Sequence, residues 1–189
     1  MCVNLQTSIA AFIIGEICGF ILATENNEKR AIGIFVMFYS FVQLFEALIY
    51  YYGNDESTLA SRLLLINLGL QGIVFFILVN YFIKVNAVYF FICGIISLFI
   101  IYKATVKDFK SASIESCMKW NFMDTDISSL LGIMYITVLV STQISSNTII
   151  NNTGKYFILT YIFANLFNSN GPSLWCLSSA ITAPILLFL

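Results

Sequence analysis

Histidine is absent from this chain of 189 residues, and that one absence removes several chemistries at once. Serine–histidine hydrolysis, histidine–zinc hydrolysis and bis-histidine haem ligation all require the imidazole ring. A cysteine nucleophile would lack its usual histidine base. The five cysteines, Cys2, Cys18, Cys93, Cys117 and Cys176, also form no Cys-x-x-Cys pair that would mark a thiolate zinc site. No Gly-rich phosphate loop occurs, and the ten glycines are scattered where helix packing or turns explain them. These absences argue against an enzyme, and they assign no catalytic residue, no metal ligand and no cofactor.

Charge is scarce as well. Asp, Glu, Lys and Arg make up 10% of the chain and the formal net charge is −1, so no basic field exists for nucleic acid. The scarcity is uneven. Leu63–Ile83, Val85–Tyr102, Ile127–Gly154 and Tyr156–Leu189 contain no charged residue, and Ala31–Asn54 contains only Glu46. With 59% hydrophobic residues and a mean hydropathy of +0.89, such runs are membrane helices by default. A hydrocarbon core about 30 Å thick needs about 20 mainly apolar residues at 1.5 Å each. The lipid bilayer is therefore the one partner that composition assigns; self-association into a homo-oligomer is compatible with it.

The fold class that follows is all-α, a polytopic transmembrane helical bundle over residues 1–189. Helices are expected at Leu5–Thr24, Ala31–Tyr52, Leu63–Ile83, Val85–Tyr102, Ile127–Gln143, Lys155–Phe167 and Leu174–Leu189. The sixth is short for a span, so six spans with a re-entrant C-terminal hairpin form the rival arrangement. The first segment lacks the basic start and small-residue cleavage site of a signal peptide and carries Glu16 in its middle, so it is expected to stay in the mature protein. Residues 103–126 form the one long connection. They mix four lysines with Phe109, Ile114, Met118, Trp120 and Phe122, which points to a partly amphipathic interfacial helix.

Orientation rests on nine cations. Seven spans put Arg62, Lys103, Lys107, Lys110 and Lys119 on the N-terminal side and Lys29, Arg30, Lys84 and Lys155 on the other, which favours a cytoplasmic N-terminus. The sequon Asn151-Asn152-Thr153 would then be lumenal. Cys2, Cys117 and Cys176 share the N-terminal side, where a Cys2–Cys176 disulfide would form only if that side is oxidising.

The informative polarity lies inside the apolar runs. Tyr39, Gln43, Glu46 and Tyr50 follow spacings of four, three and four, which put them on one face of the second helix. Asn67 and Gln71 make a second polar stripe on the third helix. A turn centred near Glu56–Ser57 would bring Glu46 level with Asn67 and Gln43 level with Gln71. On the first helix Ala11, Gly15, Gly19 and Ala23 form a small-residue stripe suited to close helix packing, and Glu16 borders it. A cluster of Glu16, Tyr39, Gln43, Glu46, Asn67 and Gln71 is the expectation. Carboxyl groups at that depth need a proton, amides, water or a cation beside them, and no lysine or arginine lies within these spans. Two readings follow: a path for protons, monovalent cations or a small polar solute, or a non-catalytic membrane scaffold in which the polar residues are interhelical glue.

Three further pieces are Met1-Cys2-Val3-Asn4 with Ser8, Val42-Gln43-x-x-Glu46, and Gly171-Pro172-Ser173-Leu174-Trp175-Cys176. Together they resemble a family of small, uncharacterised multi-pass proteins of large DNA viruses and algae, whose pattern is Met-Cys-Trp-Asn, Met-Gln-x-x-Glu and Gly-Ser-Leu-Trp-Cys. This chain departs at Val3, Val42 and the inserted Pro172. The resemblance implies a seven-helix membrane bundle without a known activity, and it marks Cys2, Asn4, Gln43, Glu46, Trp175 and Cys176 as positions to test. The second helix, ending in Tyr52-Gly53-Asn54, is also similar to that of short acetate and succinate transporters, but the first helix lacks their Asn-Pro-x-Gly-like motif.

Overall fold

The computed structural model describes residues 4–56, 58–81, 86–114, 118–143 and 150–155, together with 162, 184 and 185. Five long helices dominate it: α1 (Leu5–Thr24), α2 (Asn27–Glu56), α3 (Thr58–Val79), α4 (Ala87–Thr105) and α5 (Thr125–Gln143). Each contains a stretch long and apolar enough to cross a membrane, so the chain is a multi-pass membrane protein. The expected sixth and seventh helices, apart from residues 155, 162, 184 and 185, lie outside the described residues, as do the turn at Gly171–Pro172, the interfacial Trp175, and Cys2, Cys117 and Cys176.

Short polar side chains decide where these helices begin. Asn4 Oδ1 accepts from the Thr7 amide at 2.9 Å, Asn26 Oδ1 from Lys29 at 2.9 Å, Asn86 Oδ1 from Val88 at 3.0 Å and Asp124 Oδ1 from Ile127 at 2.8 Å. Each satisfies an amide that the first turn of a helix cannot pair internally. Arg30 donates to the Ala23 carbonyl at 3.3 Å, closing the other end of α1.

Gly53 sets the hairpin between α2 and α3. Its φ of 72° and ψ of −166° break the helix, in a backbone region that a residue with a Cβ rarely enters. The helix therefore breaks at Gly53, ahead of the turn centre expected near Glu56–Ser57. Asn67 meets Phe38 and Phe75 meets Phe35, pairs whose numbers sum to 105 and 110 instead of about 115. Glu46 consequently falls level with the start of α3, near Ser61, and not with Asn67.

The core runs through α2, α3, α4 and α5, with Phe35, Leu64, Leu65, Phe75, Phe76, Ile100, Leu131 and Tyr135 essentially inaccessible. Helix α1 packs along α2 through its small residues. A Cβ on Gly15 would strike Ser40, and one on Gly33 would strike backbone atoms of Gly19 and Ala23. The opposite face of α1 presents Ile13, Ile17 and Phe20, and α4 presents Phe91, Ile95 and Leu98, outward as lipid-facing surface.

The long connection differs from the amphipathic helix expected of it. Its described residues form a two-stranded antiparallel pair, β1 (Ser113–Ile114) with β2 (Met118–Lys119), in the register Ser113 to Lys119 and Ile114 to Met118. Met118, Trp120 and Phe122 are buried at the end of the bundle. Their apolar surface thus packs on protein, where it gains dispersion contacts, instead of on lipid headgroups. The sequon is also placed differently from a displayed acceptor, since 151–153 are helical and Thr153 is fully buried.

The α1–α2 contact is backbone against backbone, so Gly33→Ala has no flexible neighbour to displace. It is expected to lower unfolding stability in detergent by about 1–3 kcal/mol. Gly94→Ala, where a Cβ meets nothing within 4 Å, should leave the unfolding midpoint unchanged; equal midpoints for both variants would contradict the packing.

Candidate functional site

The described contacts of the buried polar residues fall into three groups. The first is at the α1–α2 contact. Glu16 is half-buried, about 16 Å along α1 from Leu5, and its Oε1 lies 2.5 Å from Ser40 Oγ. The same hydroxyl lies 2.8 Å from the Met37 carbonyl. The pair therefore shares one hydroxyl with the backbone of α2. Its closeness depends on Gly15, which leaves room for Ser40.

The second group is a continuous chain of hydrogen bonds through the middle of the bundle. Tyr135 Oη donates to Gln71 Oε1 at 2.7 Å, Gln71 Nε2 to Asn67 Oδ1 at 3.3 Å, and Asn67 Nδ2 to the Phe38 carbonyl at 3.1 Å. It ties α5 to α3 and α3 to α2. The amide bonds of Asn67 and Gln71 therefore run toward Phe38 and Tyr135, away from Glu46.

The third group is the inward face of α2. Tyr39, Gln43 and Glu46 are 8%, 0% and 1% exposed, and Tyr50 is partly buried on the same face. The Tyr39 ring packs against Phe35. Glu46 lies about 10 Å from the Gly53 end of the helix, beneath the β1–β2 pair. Trp120 presents its indole to the Glu46 carboxyl without closing a hydrogen bond of full geometry, and the Tyr50 hydroxyl meets the backbone of Met118.

The remaining marked positions divide in the same way. Ala11, Gly15 and Gly19 are buried and Ala23 is partly buried, with Gly15, Gly19 and Ala23 against α2. Asn4 is the cap of α1, a structural role. Cys18 and Cys93 are buried free thiols. Among the described residues no group of three or more His, Cys, Asp or Glu side chains could hold a metal ion.

Three residues of these sites escape a reading of the sequence by polarity: Ser40, Tyr135 and Trp120. Ser40 and Tyr135 are ordinary in membrane helices. Tyr135 nevertheless carried a signal, since tyrosine concentrates at membrane interfaces and this one sits mid-helix. The amphipathic pattern of residues 103–126 points Trp120 to the lipid interface, whereas the structure turns it inward.

No protein-family model, curated protein or solved structure is significantly similar to this chain, so the geometry alone speaks to function.

The amide chain should behave as one unit. Tyr135→Phe and Gln71→Leu are each expected to cost about 0.6–1.7 kcal/mol of stability, and the double variant less than the sum, because both remove the same bond. Additive losses in a detergent-unfolding cycle would separate the two residues.

Proposed function

We propose that this multi-pass membrane protein conducts or carries protons, monovalent cations or a small neutral polar solute along the inward face of α2. The observation that supports the reading is the burial of Gln43 and Glu46 on the same face as Tyr39 and Tyr50. That stripe covers about 16 Å of helix, from the middle of the span to the β1–β2 end. A carboxyl group buried in a membrane bundle is expensive and marks an ion or proton pathway more often than not. Glu46 would be the group that takes up the proton or cation, with Gln43 and Tyr39 as successive polar contacts. Glu16 and Ser40, in hydrogen-bond contact, would offer a second polar step at the α1–α2 contact.

A second reading has its own support. The Asn67–Gln71–Tyr135 chain pairs its groups with one another and with Phe38, as interhelical glue does. On that reading the protein is a non-catalytic membrane scaffold and Glu46 another adhesive contact. A cytoplasmic N-terminus, a homo-oligomeric state and membership of the viral and algal family belong to the same proposal.

Reconstitution into liposomes separates the two. Wild-type protein should pass protons, a monovalent cation or a small polar solute. Glu46→Gln should keep the fold and bring the flux down to that of protein-free liposomes, and Glu16→Gln should reduce it. A folded wild-type protein without flux of any of these would leave the scaffold reading.

A further inference from the structure

Arg62 has no place in either reading, yet it makes more specific contacts than any other cation among the described residues. It stands in the first turns of α3, partly buried, and its guanidinium forks. Nη1 donates to the Ala104 carbonyl at 2.8 Å and Nη2 to the Val106 carbonyl at 2.9 Å. Those carbonyls lie at the C-terminal end of α4, where the helix cannot pair them and where its dipole favours a cation. The same guanidinium lies over the Phe109 ring, 5.0 Å from its centroid.

Phe109 begins a stack. Its ring lies 5.7 Å from Phe122 with 16° between the planes, and Phe122 lies 5.8 Å from Trp120 with 19° between them. These are offset-stacked distances. Beside the stack, the Ala112 amide donates to Ser61 Oγ at 3.0 Å, and Asn121 Nδ2 donates to the Ser111 carbonyl and to Ser113 Oγ, both at 3.0 Å. Trp120 ends the series against the Glu46 carboxyl, with Met118 over Tyr50. A continuous line of contacts thus joins Arg62, exposed in part to the interface, to the buried end of the α2 stripe.

We propose that Arg62 is a latch, and that it holds Met118, Trp120 and Phe122 seated as a plug over the Glu46 end of the polar stripe. Beside the latch, the segment is held by the Ala112 and Asn121 bonds and by its own two-residue strand pair between α4 and α5. The latch contacts can be made and broken at the interface, because a guanidinium released from two carbonyls is rehydrated there. As a regulator of flux this device rests on the conduction reading above; as a property of the fold it does not.

The two ideas have separate readouts. With Trp175→Phe as background, Trp120 is the one remaining tryptophan, and its fluorescence reports the plug directly. In the latched protein it should emit in the blue and resist quenching by acrylamide. Arg62→Ala should move emission to the red and raise the quenching constant several-fold, and Arg62→Lys, which keeps the charge but loses the fork, should fall between. Should Arg62→Ala fail to fold, Phe109→Leu keeps both carbonyl contacts and removes only the ring between Arg62 and Phe122; a smaller rise in quenching is then expected. Unchanged emission and quenching in the folded variants would overturn the latch, whatever the flux does. Increased quenching without increased flux would keep the latch as a property of the fold and overturn its role as a regulator of flux. Increased quenching together with flux that Glu46→Gln abolishes would support both.

Discussion

A hydrocarbon core supplies no water to a polar group, so each buried donor and acceptor in this bundle must find its partner within the chain. That constraint explains more of the structure than the apolar contacts do, because lipid tails solvate leucine as well as a neighbouring helix does. The Tyr135–Gln71–Asn67–Phe38 chain draws α5, α3 and α2 together by this requirement. Ser97 does the same between α4 and α3, donating to the Gly69 carbonyl at 2.6 Å. Ser40 and Glu16 do so between α2 and α1. At these contacts either a small residue lets the backbones approach or a polar side chain closes a bond across the gap.

The same constraint shapes the end of the bundle that lies under the long connection. Here α4 ends, α3 begins and the β1–β2 pair turns inward, so unpaired backbone groups meet in a small volume. Arg62 and Ser61, adjacent in sequence, serve two of the chain's turns at once: one takes up the last carbonyls of α4 and the other the amide of Ala112. With those groups satisfied, Met118, Trp120 and Phe122 can be buried on protein. A polar anchor thereby makes possible an apolar cover over Glu46, and the mechanical and electrostatic roles of this region are linked. The Lys103–Asp124 contact at 4.0 Å is half-exposed and adds little to that anchoring.

Function in such a bundle depends on whether its polar residues answer only one another or also something that passes through. The amide chain answers itself. The inward face of α2 places the Glu46 carboxyl in the interior of the bundle. The Glu16–Ser40–Met37 arrangement joins a carboxyl of one helix to the backbone of its neighbour through a single hydroxyl.

Much of this was legible in the residues alone. The five described helices follow from apolar runs of span length with at most one charged residue each, and α1 occupies Leu5–Thr24 as its sequence pattern predicts, because Asn4 caps one end and Glu25 follows the other. The inward face of α2 follows from its four-three-four spacing, and the small-residue stripe of α1 from its four-residue period. These are local properties, set by the periodicity of one helix and the length of the bilayer. The heights at which helices meet are not local. They turn on whether the helix breaks at Gly53 or a few residues later, and several polar residues there, Gly53 to Ser57, are equally suited to a turn. Only the packed structure selects Gly53, and that choice sends Asn67 to Phe38 and leaves Glu46 to the loop. The inward turn of Trp120 is likewise a tertiary decision. Its burial requires Arg62 and Ser61, more than fifty residues earlier in the chain, to satisfy the backbone around it, and no pattern within residues 103–126 records that support.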